Sequence, residues 1–189
     1  MPGKNIIITG ELHTGKSTLV RSILESISIS YLGVFSMPIL QGARRVGFAL
    51  RRVGESRIEV FAHENWQKGS KYDRYTVIEQ PFERAALYLN ECLGKHVELI
   101  VIDEIGAMEN HVESFLRAVL QVLNSPKRSL MVVQKRAQAA WELLENRNDV
   151  IVFQVTEDNH IALQLSILEL LEKESKSDSA VNAKVGRWR

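Results

Sequence analysis

Short apolar runs alternate along this chain with longer stretches in which apolar residues recur every three or four positions. Asn5 to Thr9 is a β-branched run closed by Gly10, and from about Lys16 to Ser28 the residues Leu19, Ile23, Leu24 and Ile27 share one helical face. Strand, loop and helix are predicted in that order. From Tyr31 to Glu79 the period becomes strand-like. Val46 to Val53, a turn at Gly54-Glu55 and Arg57 to Phe61 predict a hairpin, and Tyr75 to Glu79 a further strand. Helical spacing returns at Pro81, with Phe82, Ala85, Ala86, Leu89 and Cys92-Leu93 on one stripe and Gly94 just past the end. The rest reads Val97 to Ile102 as a buried strand, His111 to Leu123 as a helix, Ser129 to Val133 as a strand and Ala137 to Glu145 as a helix. Val150 to Val155 is the last strand and Asn159 to about Lys173 the last helix. Unbroken apolar strands alternating with helices predict an α/β domain, a mostly parallel sheet with helices on both faces. It is expected to span residues 1–173 with a β-rich hairpin insert at about 31–80. Residues 174–189, polar and without apolar period, are expected to form a flexible tail.

At 189 residues the chain is sized for one domain, and 45% hydrophobic residues permit a packed core. Lys plus Arg number 24 against 23 for Asp plus Glu, so no global field draws the domain onto nucleic acid or anionic lipid. Any polyanion site must be local. Cys92 is the only cysteine, which excludes an internal disulfide and Cys-x-x-Cys zinc spacing; it reads as a small core residue in a reducing compartment. Met1-Pro2-Gly3-Lys4 leads into three isoleucines, too few for a signal segment or a membrane span, so the chain is read as cytoplasmic with no membrane contact. Lys135-Arg136 and Arg187-Trp188-Arg189 read as solvated charge, nucleic acid is not the expected ligand, and no protein partner is indicated. His63, His96, His111 and His160 share no metal-site spacing.

Gly10-Glu11-Leu12-His13-Thr14-Gly15-Lys16-Ser17 matches G-x-x-x-x-G-K-[ST], the Walker A pattern, between a predicted strand and a predicted helix. Glycines let the backbone curl so that successive N–H groups point inward, forming an anion nest at the positive end of the helix dipole. The expected ligand is a nucleoside triphosphate, bound by Gly10 through Ser17 and by Thr18. Lys16 is expected at the β- and γ-phosphates and Ser17 at Mg²⁺. Glu11 and His13 stand where the backbone does the binding; the Glu11 carboxylate should point away from phosphate, and His13 can donate to it or lie on the loop surface.

Leu99-Ile100-Val101-Ile102 runs into Asp103-Glu104, and ligands of open α/β sheets bind outside the carboxyl ends of the strands. Asp103 is the expected Walker B ligand of Mg²⁺. Glu104 is placed to orient or deprotonate an attacking water, which favours hydrolysis over transfer to a bound hydroxyl.

These residues resemble the small RecA-like P-loop nucleoside-triphosphatases first described from thermophiles, also called cancer-related nucleoside-triphosphatases. Beyond the loop the resemblance rests on Ala43-Arg44-Arg45-Val46-Gly47-Phe48, on Lys71-Tyr72 with Tyr75-Thr76-Val77, on Asp103-Glu104-Ile105-Gly106-Ala107-Met108-Glu109 and on Val155-Thr156-Glu157-Asp158-Asn159. It implies Mg²⁺-dependent hydrolysis of ATP, GTP and other nucleoside triphosphates to the diphosphate and phosphate, with loose base preference and slow turnover. The chain departs from the family in three places: Glu11-Leu12-His13 fills the loop where a Pro-Pro-Gly type is usual, Ala107 replaces a Lys and His160 an Arg.

Arg45 is the first candidate for a cation at the γ-phosphate and Arg44 the second, against the alternative of solvated strand charges. Asn159 is placed either to touch the base or to cap the last helix. Two rival functions are a nucleotide or small-molecule kinase, with its acceptor pocket in the segment Arg44 to Arg57, and a nucleotide-dependent switch reset by slow hydrolysis.

Overall fold

The computed structural model describes residues 4–185, with side chains through Glu172. The chain runs β1 (Asn5–Gly10), α1 (Lys16–Ser26), β2 (Tyr31–Gln41), β3 (Arg44–Arg52), β4 (Ile58–His63), β5 (Ser70–Tyr72), β6 (Tyr75–Val77) and α2 (Gln80–Leu93). It continues with β7 (Leu99–Ile105), a 3₁₀ turn at Glu109–His111, α3 (Glu113–Asn124), β8 (Arg128–Val133), α4 (Gln138–Glu142), β9 (Val150–Val155) and α5 (His160–Val185). All the strands lie in one sheet ordered β5-β6-β4-β3-β2-β7-β8-β1-β9. From β2 to β9 the pairings are parallel; from β2 outward through β3, β4, β6 and β5 they are antiparallel. The β-rich insert therefore extends the main sheet instead of standing apart from it.

The strand character of β1, β7 and β8 follows from burial on both faces, which only continuous Ile, Leu and Val runs satisfy. Ile7, Ile100, Ile102 and Met131 face α2 and α3, where Phe61, Phe82 and Phe115 fill the core. Ile6, Ile8, Val101 and Leu130 face α1 and α5, packing on Leu19, Ile23, Ile167 and Leu171. Alternate side chains of one strand thus build two separate cores. Cys92 is buried in the first, and burial pushes its thiol up from the ordinary value.

The apolar pattern does not single out β2, of eleven residues, or the short β5. The pairing of β2 with β7 ends at Phe35, so beyond that residue the strand has an edge, which is where a proline such as Pro38 is tolerated. The insert is clamped to α2 by Glu59, whose carboxylate accepts from Arg52 at 2.5 Å and also from Arg84. At the other end, α5 runs past Lys173 to Val185. No glycine or proline occurs between Ile161 and Val185 to stop it. Of the expected tail, residues 186–189, including Arg187-Trp188-Arg189, lie outside the described residues, as do the side chains from Lys173 onward.

Candidate functional site

β1 ends at Gly10, where a Cβ would come within 2.5 Å of the Val155 carbonyl oxygen, so the chain leaves the sheet hard against β9. The next five residues curl back, and Gly15, in the left-handed region at φ 78°, begins α1. Only glycine fits there twice over, because a Cβ would also meet the His160 ring at 2.6 Å. His160 Nε2 lies 2.6 Å from the Thr14 carbonyl oxygen, so α5 braces the loop from behind. Lys16 is buried and folds over the turn, its ammonium donating to the carbonyls of Glu11 at 2.6 Å and Gly10 at 3.3 Å.

A cleft of about 440 Å³ opens at the carboxyl ends of the parallel strands. Leu12, His13, Gly15, Lys16, Ser17 and Thr18 line it together with Arg45 and Glu104. Asp103 is 1% exposed and accepts a 2.9 Å hydrogen bond from Ser17 Oγ of the lining. Burial pushes its carboxyl up to about 7; the Ser17 hydrogen bond opposes this and the neighbouring Glu104 adds to it. A hydroxyl and a carboxylate oxygen side by side are hard donors suited to Mg²⁺, and a cation there would restore the ionised form of Asp103.

The structure distributes the other sequence candidates unevenly. Glu11 turns out of the cleft to Lys135 at 2.6 Å, an ion pair that holds its carboxyl below the ordinary value. Thr14 Oγ donates back to the Glu11 carbonyl oxygen at 2.9 Å. Arg45 stacks 5.2 Å from the Phe48 ring centroid, and its buried Nε has no hydrogen-bond partner among the described residues, whereas Arg44 is paired with Glu64 at 2.5 Å. Asn159 is outside the cleft lining. Its side chain accepts from the Thr156 N–H and donates to the Gln154 carbonyl, both at 2.9 Å, which ties off the loop ahead of α5.

Glu109, Gln134 and Arg136, the last read from the sequence as solvated charge, also line the cleft. Glu109, 4% exposed, accepts from the Gly106 N–H at 3.0 Å and from Ser36 Oγ at 3.2 Å. Burial pushes it up to about 7, with Glu104 contributing. Its position in the Asp-Glu-Ile-Gly-Ala-Met-Glu run was the available signal. Gln134 and Arg136 stand just past β8, and no motif marks them.

The loop, the helix dipole behind it and the acidic strand end define a P-loop nucleotide-binding α/β protein. Comparison with known proteins narrows the class. The NTPase family model matches residues 5–168, and the chain belongs to that family. It is 31% identical to the nucleoside-triphosphatase THEP1 of Methanopyrus kandleri, the match covering 87% of this chain and 93% of the relative. The solution structure of a human cancer-related nucleoside triphosphatase superposes with a TM-score of 0.76 at 27% identity, over 89% of this chain and 97% of that one. The THEP1 crystal structure from Aquifex aeolicus gives 0.73 at 26%, over 89% and 99%.

Proposed function

We propose that the chain hydrolyses nucleoside triphosphates to the diphosphate and phosphate with Mg²⁺, and that the loop Gly10 to Thr18 holds the triphosphate through its backbone N–H groups. The observation that carries this reading is the 2.9 Å contact of Asp103 with Ser17, a residue that lines one cleft with Lys16 and Glu104. Lys16 exchanges its two carbonyl partners for β- and γ-phosphate oxygens. Ser17 and Asp103 would hold Mg²⁺, which would supply positive charge to the phosphate tail. Glu104 orients a water and accepts its proton as the new oxygen–phosphorus bond forms and the bond from γ-phosphorus to the bridging oxygen breaks, a contribution of about 10² to 10⁴ in rate. Arg45, with Nε unsatisfied, offsets charge on the transferring phosphoryl oxygens, worth about 10³ to 10⁵ when well placed.

Asn159 is engaged with its own loop, accepting from the Thr156 N–H and donating to the Gln154 carbonyl, so its side chain holds the turn ahead of α5. Loose base preference fits a site whose identified polar groups all address the phosphate tail. Among the described residues no helix is long and apolar enough to cross a membrane. A cytoplasmic place of action agrees with a lone cysteine kept buried as the thiol.

The test is phosphate release from ATP, GTP, CTP and UTP, with and without Mg²⁺, beside Lys16→Ala. Release from several nucleotides without any added acceptor, lost in the variant, supports hydrolysis. Phosphate transfer only to an added hydroxyl compound would support a kinase instead.

A further inference from the structure

We propose that a groove between α1 and the strands β2 and β3, separate from the nucleotide cleft, binds a small amphipathic anion, a flat apolar body carrying one carboxylate or phosphate, and that Arg21 couples its occupancy to the cleft. The groove stands on its own geometry; only the coupling rests on the phosphate loop holding a nucleoside triphosphate. It lies where the helical cover of the sheet is uneven. Among the described residues α2 packs on β2, β3 and β4 from one side, whereas α1, on the other side, packs on β1 and β7. The step beside α1 is a cavity of about 400 Å³. That is the size of a small-molecule site and too little for a protein segment.

The floor of the groove is aromatic. Phe35 of β2 stands opposite Arg51 of β3 in the sheet register, and residues so opposed on antiparallel strands share a face. The Arg51 guanidinium accordingly lies 5.9 Å from the Phe35 ring centroid. Tyr31 and Met37, also from β2, widen this surface. The facing wall comes from α1, where Arg21, Leu24 and Glu25 are three and four residues apart and so lie on one side of the helix.

The charges of the groove are left over. Among the described residues neither Arg21 nor Arg51 makes a hydrogen bond or an ion pair, whereas Arg44, Arg52 and Arg84 of the same region each hold a carboxylate. Glu25 is one carboxylate against two guanidiniums, so the groove keeps a positive balance. A guanidinium fork fits a carboxylate or phosphate group, and the rings below it fit a flat apolar body; a ligand with both parts uses the whole groove. Arg21 also lines the nucleotide cleft, and its charge is among those felt by the Asp103 carboxyl. One guanidinium cannot serve two anions at once. A ligand in the groove therefore weakens triphosphate binding, and by linkage the triphosphate weakens the groove ligand by the same factor.

The experiment is calorimetric binding of 2-naphthoate, 2-naphthyl phosphate and the neutral 2-naphthalenemethanol to wild type, Arg51→Ala, Arg51→Glu and Arg21→Ala, without nucleotide. Affinity for a fluorescent non-hydrolysable ATP analogue is then measured with and without saturating 2-naphthoate. Wild type should bind the naphthyl anions at least about 10-fold more tightly than the alcohol, and the tighter of the two identifies the head group. Arg51→Ala should weaken that binding by at least about 10-fold and Arg51→Glu by more. Arg51 is exposed and outside the cleft, so both variants should keep the wild-type thermal midpoint and phosphate release. Saturating 2-naphthoate should weaken analogue binding to wild type by about 3- to 10-fold, and the effect should vanish in Arg51→Ala and Arg21→Ala. Equal affinity for the alcohol, or full binding in both Arg51 variants, would overturn the site. So would a single-stranded oligonucleotide that binds through Arg51 where neither naphthyl anion does. Analogue affinity untouched by bound 2-naphthoate would overturn the coupling. An analogue that does not bind wild type at all would instead remove the phosphate-loop reading and the coupling with it, while the naphthoate result still decides the groove.

Discussion

Ser17 Oγ and Asp103 Oδ1, 86 residues apart in sequence, are held 2.9 Å from each other where α1 meets the end of β7. Two oxygens this close, one of them a buried carboxylate, need a proton or a cation between or beside them. Mg²⁺ is expected in that role. Phosphate release should disappear on chelation with EDTA and return on adding Mg²⁺. Asp103→Asn, which keeps shape and hydrogen bond but not charge, should lose at least about 10²-fold in kcat. Equal rates with and without divalent cation would remove Ser17 and Asp103 as ligands.

Asp103 and Glu109 also predict how stability depends on pH. Burial raises both carboxyls to about 7, so between the ordinary carboxylate range and pH 7 the native protein holds protons that the unfolded chain releases. Their contribution favours the native state at low pH and fades as pH rises through that window. Without nucleotide or metal, the thermal midpoint should fall from pH 5 to pH 8. Glu109→Gln, which removes one of the two groups, should roughly halve that slope, a change of at most about 3 kcal/mol. Asp149, lowered by its hydrogen bond from Arg147, acts in the opposite sense and only at more acidic pH. A slope unaltered in Glu109→Gln would contradict this assignment.

His13 sits at φ 64°, the left-handed region that favours glycine. A non-glycine residue there costs about 1 kcal/mol or somewhat more, while glycine costs about 0.5–1 kcal/mol in unfolded-state entropy. His13→Gly should therefore be neutral to mildly stabilising, by no more than about 1 kcal/mol or about 2–4 °C in midpoint, with nucleotide binding retained. A calorimetric loss of stability, or loss of binding, would show that the His13 ring itself holds the loop or the phosphate.

Legibility in the sequence followed the range of the interactions. The phosphate loop, α1 and the strand ending in Asp103-Glu104 are set by neighbours a few residues apart, and they stand where the periodicity and the motif put them. The β3–β4 hairpin was likewise readable from its turn at Gly54. β2 was not singled out because its pattern mixes Gly33, Pro38 and exposed positions; it is a strand because β7 and β3 flank it. The partners of Gln134 and Glu109 escaped for a related reason. Gln134 meets Glu104 across 30 residues and Ser36 meets Glu109 across 73, separations at which no local pattern marks the partner.

The most direct measurement of the central claim compares Glu104→Gln with wild type in two assays run side by side, equilibrium binding of a nucleoside triphosphate and single-turnover phosphate release. The account predicts that the variant binds the nucleotide with Mg²⁺ as wild type does and releases phosphate at least about 10²-fold more slowly. Release at the wild-type rate would contradict it.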